Sequence, residues 1–531
     1  MQSKIRSLAS DTIVYGVSTV MGRFLTFLLT PLYTNFLSAS EIGDVTAIYA
    51  MIAFVNIVYS LGMEPAFMRF WERSDESSNA RVFSVAVLTV VSVSFVVTII
   101  TALLAGPIAT SSFLQLGEAG ALYVAIASLI PLLDALVLIP FARLRMQQKP
   151  RSFAALRLLS IVVTVALNLV FVVGLGMKIE GVLWAGVLGS AVTFLYFVPS
   201  LRGVIGTIRQ NTAASSSLLR EMLRFGLPTV PSNFSSIMVQ VADRPIMLML
   251  TGSAMVGMYQ TNFRLAIPMM MFVTVFEYAF KPFYLNHRED PEVKGLLARV
   301  FTLFTIVCGG LFLAASLFMP YLVQLPFIGG RFINPQYWSG LSIVPVVMFA
   351  YYFNGVFINM AAGFHIQKRT SLFPIATGVA AVVSVAATWF LVPEFGIMGA
   401  AWAKVAAYVA SAVLLYIALL RVYPIPYDLL RVAVTLIIAA VIYGGVLMLP
   451  SDDTTQLIAR SAALPVYVLL LVVTRVLGAS TIRTLLRLVK RCTSSAPSSC
   501  WVLLHLFFSP DVRHMTLPTL HRHKVDGSSN F

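Results

Sequence analysis

The sequence carries little charge and very little acid. Of its 531 residues only 11% are Asp, Glu, Lys or Arg, and 22 acidic residues stand against 37 basic ones. With 58% apolar residues, this composition excludes the string of soluble domains that the length would otherwise suggest; the solvent of this chain is lipid. Cysteine is scarce as well. Cys308 lies in an apolar run and Cys492 and Cys500 lie in the tail, which gives neither a disulfide framework nor a metal pair of useful spacing. Four of the six histidines, His505, His514, His521 and His523, fall beyond the last apolar run and read as a solvated segment rather than a ligand set. No phosphate-binding loop for ATP occurs, so no cofactor is expected and any energy input is expected from an ion gradient or from consumption of the product.

What is present is apolar helix, repeated. A bilayer core needs about 20 apolar residues per helix. Hydropathy and loop punctuation predict fourteen spans, at residues 12–36, 42–68, 82–106, 119–142, 152–175, 181–201, 225–250, 254–281, 296–324, 338–364, 372–392, 397–420, 429–449 and 457–477. Lys4 and Arg6 precede a first run too long for a signal h-region, so the first span is expected to stay in the mature protein. Charge tests the count, because basic residues favour cytoplasmic loops. Of the 37 Lys and Arg, 29 fall on the side of the N-terminus and only Lys178, Arg331 and Arg460 on the other. Both termini are therefore expected in the cytoplasm, and the net charge of +15 is a topological signal facing anionic lipid, not nucleic acid.

The chain also repeats itself. Glu64-Pro-Ala-Phe-Met-Arg-Phe-Trp71 returns 213 positions later as Glu277-Tyr-Ala-Phe-Lys-Pro-Phe-Tyr284. Met146-Gln-Gln-Lys149 returns after 220 as Ile366-Gln-Lys-Arg369, and Gly181-Val-Leu-Trp-Ala185 after 218 as Gly399-Ala-Ala-Trp-Ala403. Six spans per copy make the copies parallel, an arrangement that in transporters places substrate between halves. The expected plan is an all-α integral membrane protein with an N-terminal lobe (1–202), a cytoplasmic linker (203–224), a C-terminal lobe (225–421), two further helices (422–478) and a disordered cytoplasmic tail (479–531). Truncation at Val489 is expected to leave transport intact.

Five basic residues are not explained by loops: Arg23, Arg157, Arg244, Arg264 and Lys404. A charge at bilayer depth costs about 2.5–3.5 kcal/mol, so it faces a watery cavity or a partner. Arg157, near the cytoplasmic end of its span, reads as snorkelling to the interface. Arg23 shares one helical face with Thr19, Thr26, Thr30 and Tyr33, as a cavity wall requires. The seventh span carries a similar stripe, Ser232, Ser236, Gln240 and Asp243, and the second carries Thr46, Tyr49, Asn56, Ser60 and Glu64. Asp243 and Arg244 are adjacent and point about 100° apart, so each needs its own partner. Pro31 and Pro245 are expected to bend the first and seventh spans into gates.

Among acids, Asp134 and Asp243 are candidates for ion coupling, with H+ or Na+ as the ion; Asp134 has no local base, and Arg23 is a tertiary candidate. The repeated Glu64 and Glu277 pair on paper with Arg69 and Lys281 as an inner gate, with coupling-ion binding as the other reading of the two glutamates. Arg23, Arg244, Arg264 and Lys404 against Asp134 and Asp243 leave the lumen net positive, suited to an anionic headgroup.

Phe225-Gly-Leu-Pro228 opening the seventh span, Asp243-Arg244 near its far end and Gly396-Ile-Met-Gly-Ala-Ala-Trp402 opening the twelfth, in a six-six-two plan, resemble the multidrug/oligosaccharidyl-lipid/polysaccharide (MOP) exporter superfamily. Over residues 1–478 the chain is most similar to the polysaccharide-biosynthesis flippases. That resemblance implies a V-shaped pair of lobes moving an undecaprenyl-pyrophosphate-linked oligosaccharide from the cytoplasmic to the outer leaflet; a monomer in a bacterial inner membrane, working by alternating access, is expected. It also implies that Arg23 and Arg264 stand where such flippases hold pyrophosphate or acidic sugars. Two rivals stay open: an ion-coupled multidrug antiporter of the same fold, which needs an acidic lumen, and a membrane glycan polymerase or ligase, which needs a sizeable external catalytic loop.

Overall fold

Lipid offers the main chain no hydrogen bonds, so each spanning segment bonds to itself as helix. The computed structural model describes residues 2–72, 75–117, 119–210, 212–369, 371–450 and 452–477; the expected tail beyond 478 lies outside the described residues. The first half comprises α1 (Gln2–Phe36), α2 (Ala39–Ser60), α3 (Met63–Phe70), α4 (Glu76–Leu103), α5 (Ala105–Thr110), α6 (Gly120–Met146), α7 (Pro150–Asn168, continued by a π-helical stretch Leu169–Gly174) and α8 (Lys178–Phe197). The second comprises α9 (Val204–Gln210), α10 (Thr212–Gly226), α11 (Val230–Val241), α12 (Asp243–Thr251), α13 (Ser253–Leu265), α14 (Ile267–Asn286), α15 (Val293–Leu322), α16 (Ile343–Ile366), α17 (Leu372–Val422), α18 (Leu429–Leu447) and α19 (Asp453–Val473). A small antiparallel hairpin, Pro326–Phe327 with Gly330–Arg331, follows α15.

Among the described residues, ten helical stretches are long and apolar enough to cross a membrane, eleven if α13 and α14, bent by 51° to each other, form one span. One of them, α17, has 51 residues, about 75 Å at 1.5 Å per residue, and is interrupted at Gly396, whose φ of 53° and ψ of −130° no helix contains. With α1 and the α11–α12 pair, every one of the fourteen expected spans falls on helix. Polar caps mark water-facing ends. Ser38 and Glu41 form a reciprocal capping box on α2, and Asp75 accepts from the amide of Ser78 at 2.9 Å, a bond that holds its carboxyl below the ordinary range.

The stretch expected as a flexible linker is helical. In α10 the apolar Leu218, Leu219, Met222 and Leu223 recur on one side and pack with Tyr59, Met63 and Val82, so burial fixes what Ser- and Ala-rich composition alone would leave loose.

The chain forms two compact units, Met1–Pro282 with Phe318–Pro424, and Phe283–Leu317 with Ile425–Phe531. In the smaller one, α19 packs on α15: Tyr467 donates to the carbonyl of Ile306 at 2.9 Å and Arg460 to that of Leu317 at 3.2 Å. In the larger one, α2 binds the second half of the chain at both ends. At its start it crosses α13 at backbone contact, since a Cβ on Gly43 would stand 1.9 Å from the Ser253 oxygen and one on Gly257 1.9 Å from the Ala39 oxygen. Past its far end, a Cβ on Gly62 would stand 2.3 Å from the Gly226 oxygen, and the Arg69 guanidinium lies 4.7 Å from the Phe225 ring centre. Close backbone approach through glycine is how helices attract one another in lipid. Replacing Gly257 by Leu is therefore expected to cost about 1–3 kcal/mol through overpacking, read as a lower Tm of the purified protein in detergent; an unchanged Tm would count against this contact.

Candidate functional site

Three helices of the larger unit each bring one arginine to a single cavity of about 460 Å3: Arg23 from α1, Arg157 from α7 and Arg264 from α13, with Phe27, Ile161 and Met270 among its apolar walls. Arg23 is held by Thr274, to whose hydroxyl Nη1 donates at 2.6 Å, and Thr274 is in turn anchored on the carbonyl of Met270 at 2.8 Å. Arg157 lies over Phe141, 4.8 Å to the ring centre, and Arg264 over Tyr33 at 6.0 Å. Tyr33 is oriented by the bond its hydroxyl donates to Asn168 Oδ1 at 2.8 Å. Among the described residues none of the three guanidiniums is in an ion pair. Aromatic faces and a hydroxyl steady them at the cavity wall.

A second cavity, about 340 Å3, shares Phe153 and Arg157 with the first and adds Glu64, Asp134 and Arg145. Glu64 accepts from Arg145 in a salt bridge, and Asp134 accepts from the hydroxyl of Ser190 at 2.8 Å. Arg157 thus stands between a cationic chamber and one that holds both signs of charge.

The expected residues are distributed as follows. Arg23 and Arg264 line the larger cavity, and Asp134 and Glu64 the smaller. Arg244 and Lys404 line neither: Lys404 is buried against Asp243, Nζ to Oδ2 3.1 Å, and the Arg244 guanidinium lies over Phe263 at 5.8 Å. Asp134 has Ser190 as its partner in place of Arg23. Glu64 pairs with Arg145, 81 residues on, while Arg69 stacks on Phe225. Glu277 has Lys281 and Arg23 as charged neighbours. The seventh span is broken at Ala242, just before Asp243 and three residues ahead of Pro245, whereas α1 runs unbroken through Pro31.

Arg157 is the residue that the sequence reading discounted. Its position near the cytoplasmic end suggested snorkelling, but Ser160, Thr164 and Asn168 continue its polar stripe along α7, and a face that stays polar for three turns looks inward. That signal was available in the spacing.

A family model described as polysaccharide biosynthesis protein matches residues 8–283. The chain belongs to the polysaccharide biosynthesis protein family. No curated protein sequence matches it significantly. Its fold is that of the MOP superfamily. A structure titled lipid II flippase MurJ in an inward closed conformation superposes with a TM-score of 0.66 at 14% identity, over 87% of this chain and 99% of that one. A multidrug resistance MATE family transporter in an inward-facing conformation gives 0.63 at 15% identity, over 77% and 98%. The MATE multidrug transporter DinF-BH in complex with R6G gives 0.53 at 19% identity, over 78% and 95%. The member described here is thus a multi-pass membrane protein.

The Glu64–Arg145 bridge joins α3 to the end of α6 with both side chains about a third exposed, at 28% and 35%. A double-mutant cycle with Glu64→Gln and Arg145→Gln is expected to give a coupling of about 0.5–1 kcal/mol in thermal unfolding. Strict additivity would mean that the pair carries no interaction.

Proposed function

We propose that this protein flips a polyprenyl-pyrophosphate-linked oligosaccharide across a bacterial inner membrane, and that Arg23, Arg157 and Arg264 hold its pyrophosphate. The carrying observation is the larger cavity: three guanidiniums, none of them in an ion pair among the described residues, converge on it, and its described lining contains no acid. A pyrophosphate offers many acceptor oxygens, and guanidinium forks bind phosphate in bidentate fashion most strongly where water is scarce. The cationic drug site of an antiporter would place acids there instead. Membership in the polysaccharide biosynthesis family fits a glycan as the cargo, and the likeness to the lipid II flippase fits a lipid carrier for it.

The chemistry asked of the protein is binding and release, with no bond made or broken. The pyrophosphate would enter from the leaflet facing the cytoplasm, displace the water around the three arginines, and leave when the lobes (1–202 and 225–421) rock about the cavity. The lipid tails would stay in the bilayer. The basic bias of alternate loops supports cytoplasmic termini. A free monovalent ion on Asp134 remains compatible with this reading, because Asp134 opens on the chamber that Arg157 shares.

The test is export of the glycan in cells carrying Arg157→Ala or Arg264→Ala, with membrane levels of the protein matched. Each loses charge-assisted bonds of about 1.5–3 kcal/mol, so export is expected to fall about 10-fold or more, with unflipped lipid-linked oligosaccharide accumulating. Lysine at either position restores part of the loss, since it supplies charge without the fork. Full export in the alanine variants would overturn the assignment.

A further inference from the structure

The larger unit holds a second buried charge cluster that the proposed headgroup site does not use. Between α11 and α12 the seventh span breaks at Ala242, and the last turn of α11 presents carbonyls that a continuous helix would bind along its own axis. Lys404, carried by α17, reaches this break and donates to the carbonyls of Val239 at 2.7 Å and Gln240 at 3.2 Å, and to Asp243 Oδ2 at 3.1 Å. These three acceptors match the three N–H bonds of an ammonium. Lys404 and Asp243 are 2% and 1% exposed, so neither is bathed by bulk water. Tyr259 donates to the same carboxylate oxygen at 2.7 Å, while Asp243 Oδ1 is buried without a partner among the described residues.

Main-chain carbonyls freed at a helix break and standing beside a buried carboxylate are the kind of oxygen ligands that coordinate a small monovalent cation. A plain ion pair would need only the carboxylate; here two main-chain oxygens complete a shell around the nitrogen, and an unused carboxylate oxygen lies beside it. We propose that the ammonium of Lys404 is a tethered cation occupying a monovalent-ion site, so that the protein as it stands binds no sodium between α11, α12 and α17. The inference is independent of the headgroup reading, since neither Asp243 nor Lys404 lines the larger cavity. It leaves Asp134, and not Asp243, as the carboxylate available to a free ion. Arg244, the other charge at this place, lies over the Phe263 ring and forms no ion pair with Asp243 among the described residues.

The test is the Tm of the purified full chain in detergent, in NaCl and in choline chloride at equal ionic strength. Any sodium effect on the wild type is expected to persist in Asp243→Asn, because it would arise away from this break. Lys404→Met vacates the shell, and is expected to gain a saturable, sodium-dependent rise on the order of 5 °C. That rise disappears in the Asp243→Asn/Lys404→Met double variant, which removes the carboxylate ligand and stays neutral at the site. A saturable sodium dependence in the wild type that Asp243→Asn removes would overturn the proposal, as would equal melting or equal failure to fold of Lys404→Met in both salts.

Discussion

An arginine inside a membrane must have water or an anion against it, and this requirement organises the larger unit. Three such residues on α1, α7 and α13 cannot pack against lipid or against one another without cost, so the helices that carry them surround a cavity. The walls supply aromatic faces and single hydroxyls, enough to position the guanidiniums and too little to neutralise them. Guanidiniums that form no ion pair among the described residues are what an anionic ligand could satisfy, which is the proposed role of this cavity.

Several helices of the larger unit are also broken. A spanning helix that bonds only to itself offers a substrate no main-chain groups, whereas α2–α3, α11–α12 and α13–α14 are each interrupted. At the α11–α12 break the freed carbonyls meet the ammonium of Lys404, so a charged side chain satisfies them from within the fold. At the two ends of α2, glycines bring backbones together with no side chain between, a contact that is close but lacks interlocking side chains. Such contacts suit surfaces that must separate and re-form, while the interlocked aromatic packing of Tyr59, Phe67 and Phe83 under α3 suits a part that moves as one body.

Much of this was legible in the residues themselves. Apolar runs and the sidedness of Lys and Arg place the spans because both report directly on lipid and on insertion, and they do so locally. Arg23 and Arg264 stood out because nothing nearby explains them. Partners were not legible, since they lie far apart in the chain: Glu64 meets Arg145 and not the closer Arg69, and Asp243 meets Lys404 from α17. Lys404 looked like one more lumen cation because sequence counts charges without saying which are already paired. Arg157 was underrated for the opposite reason, its place near the cytoplasmic end of its span outweighing the polar stripe that continues from it.

Binding of a lipid-borne pyrophosphate is the property that the three-arginine cavity must have if it holds the headgroup. The direct measurement is binding of a polyprenyl pyrophosphate to the purified protein in nanodiscs, with the matching polyprenol as competitor. Binding that the alcohol fails to displace, and that weakens about 10-fold or more in an Arg157→Ala/Arg264→Ala variant, is the predicted result. Equal affinity for the alcohol, or binding unaffected by loss of both arginines, would contradict it.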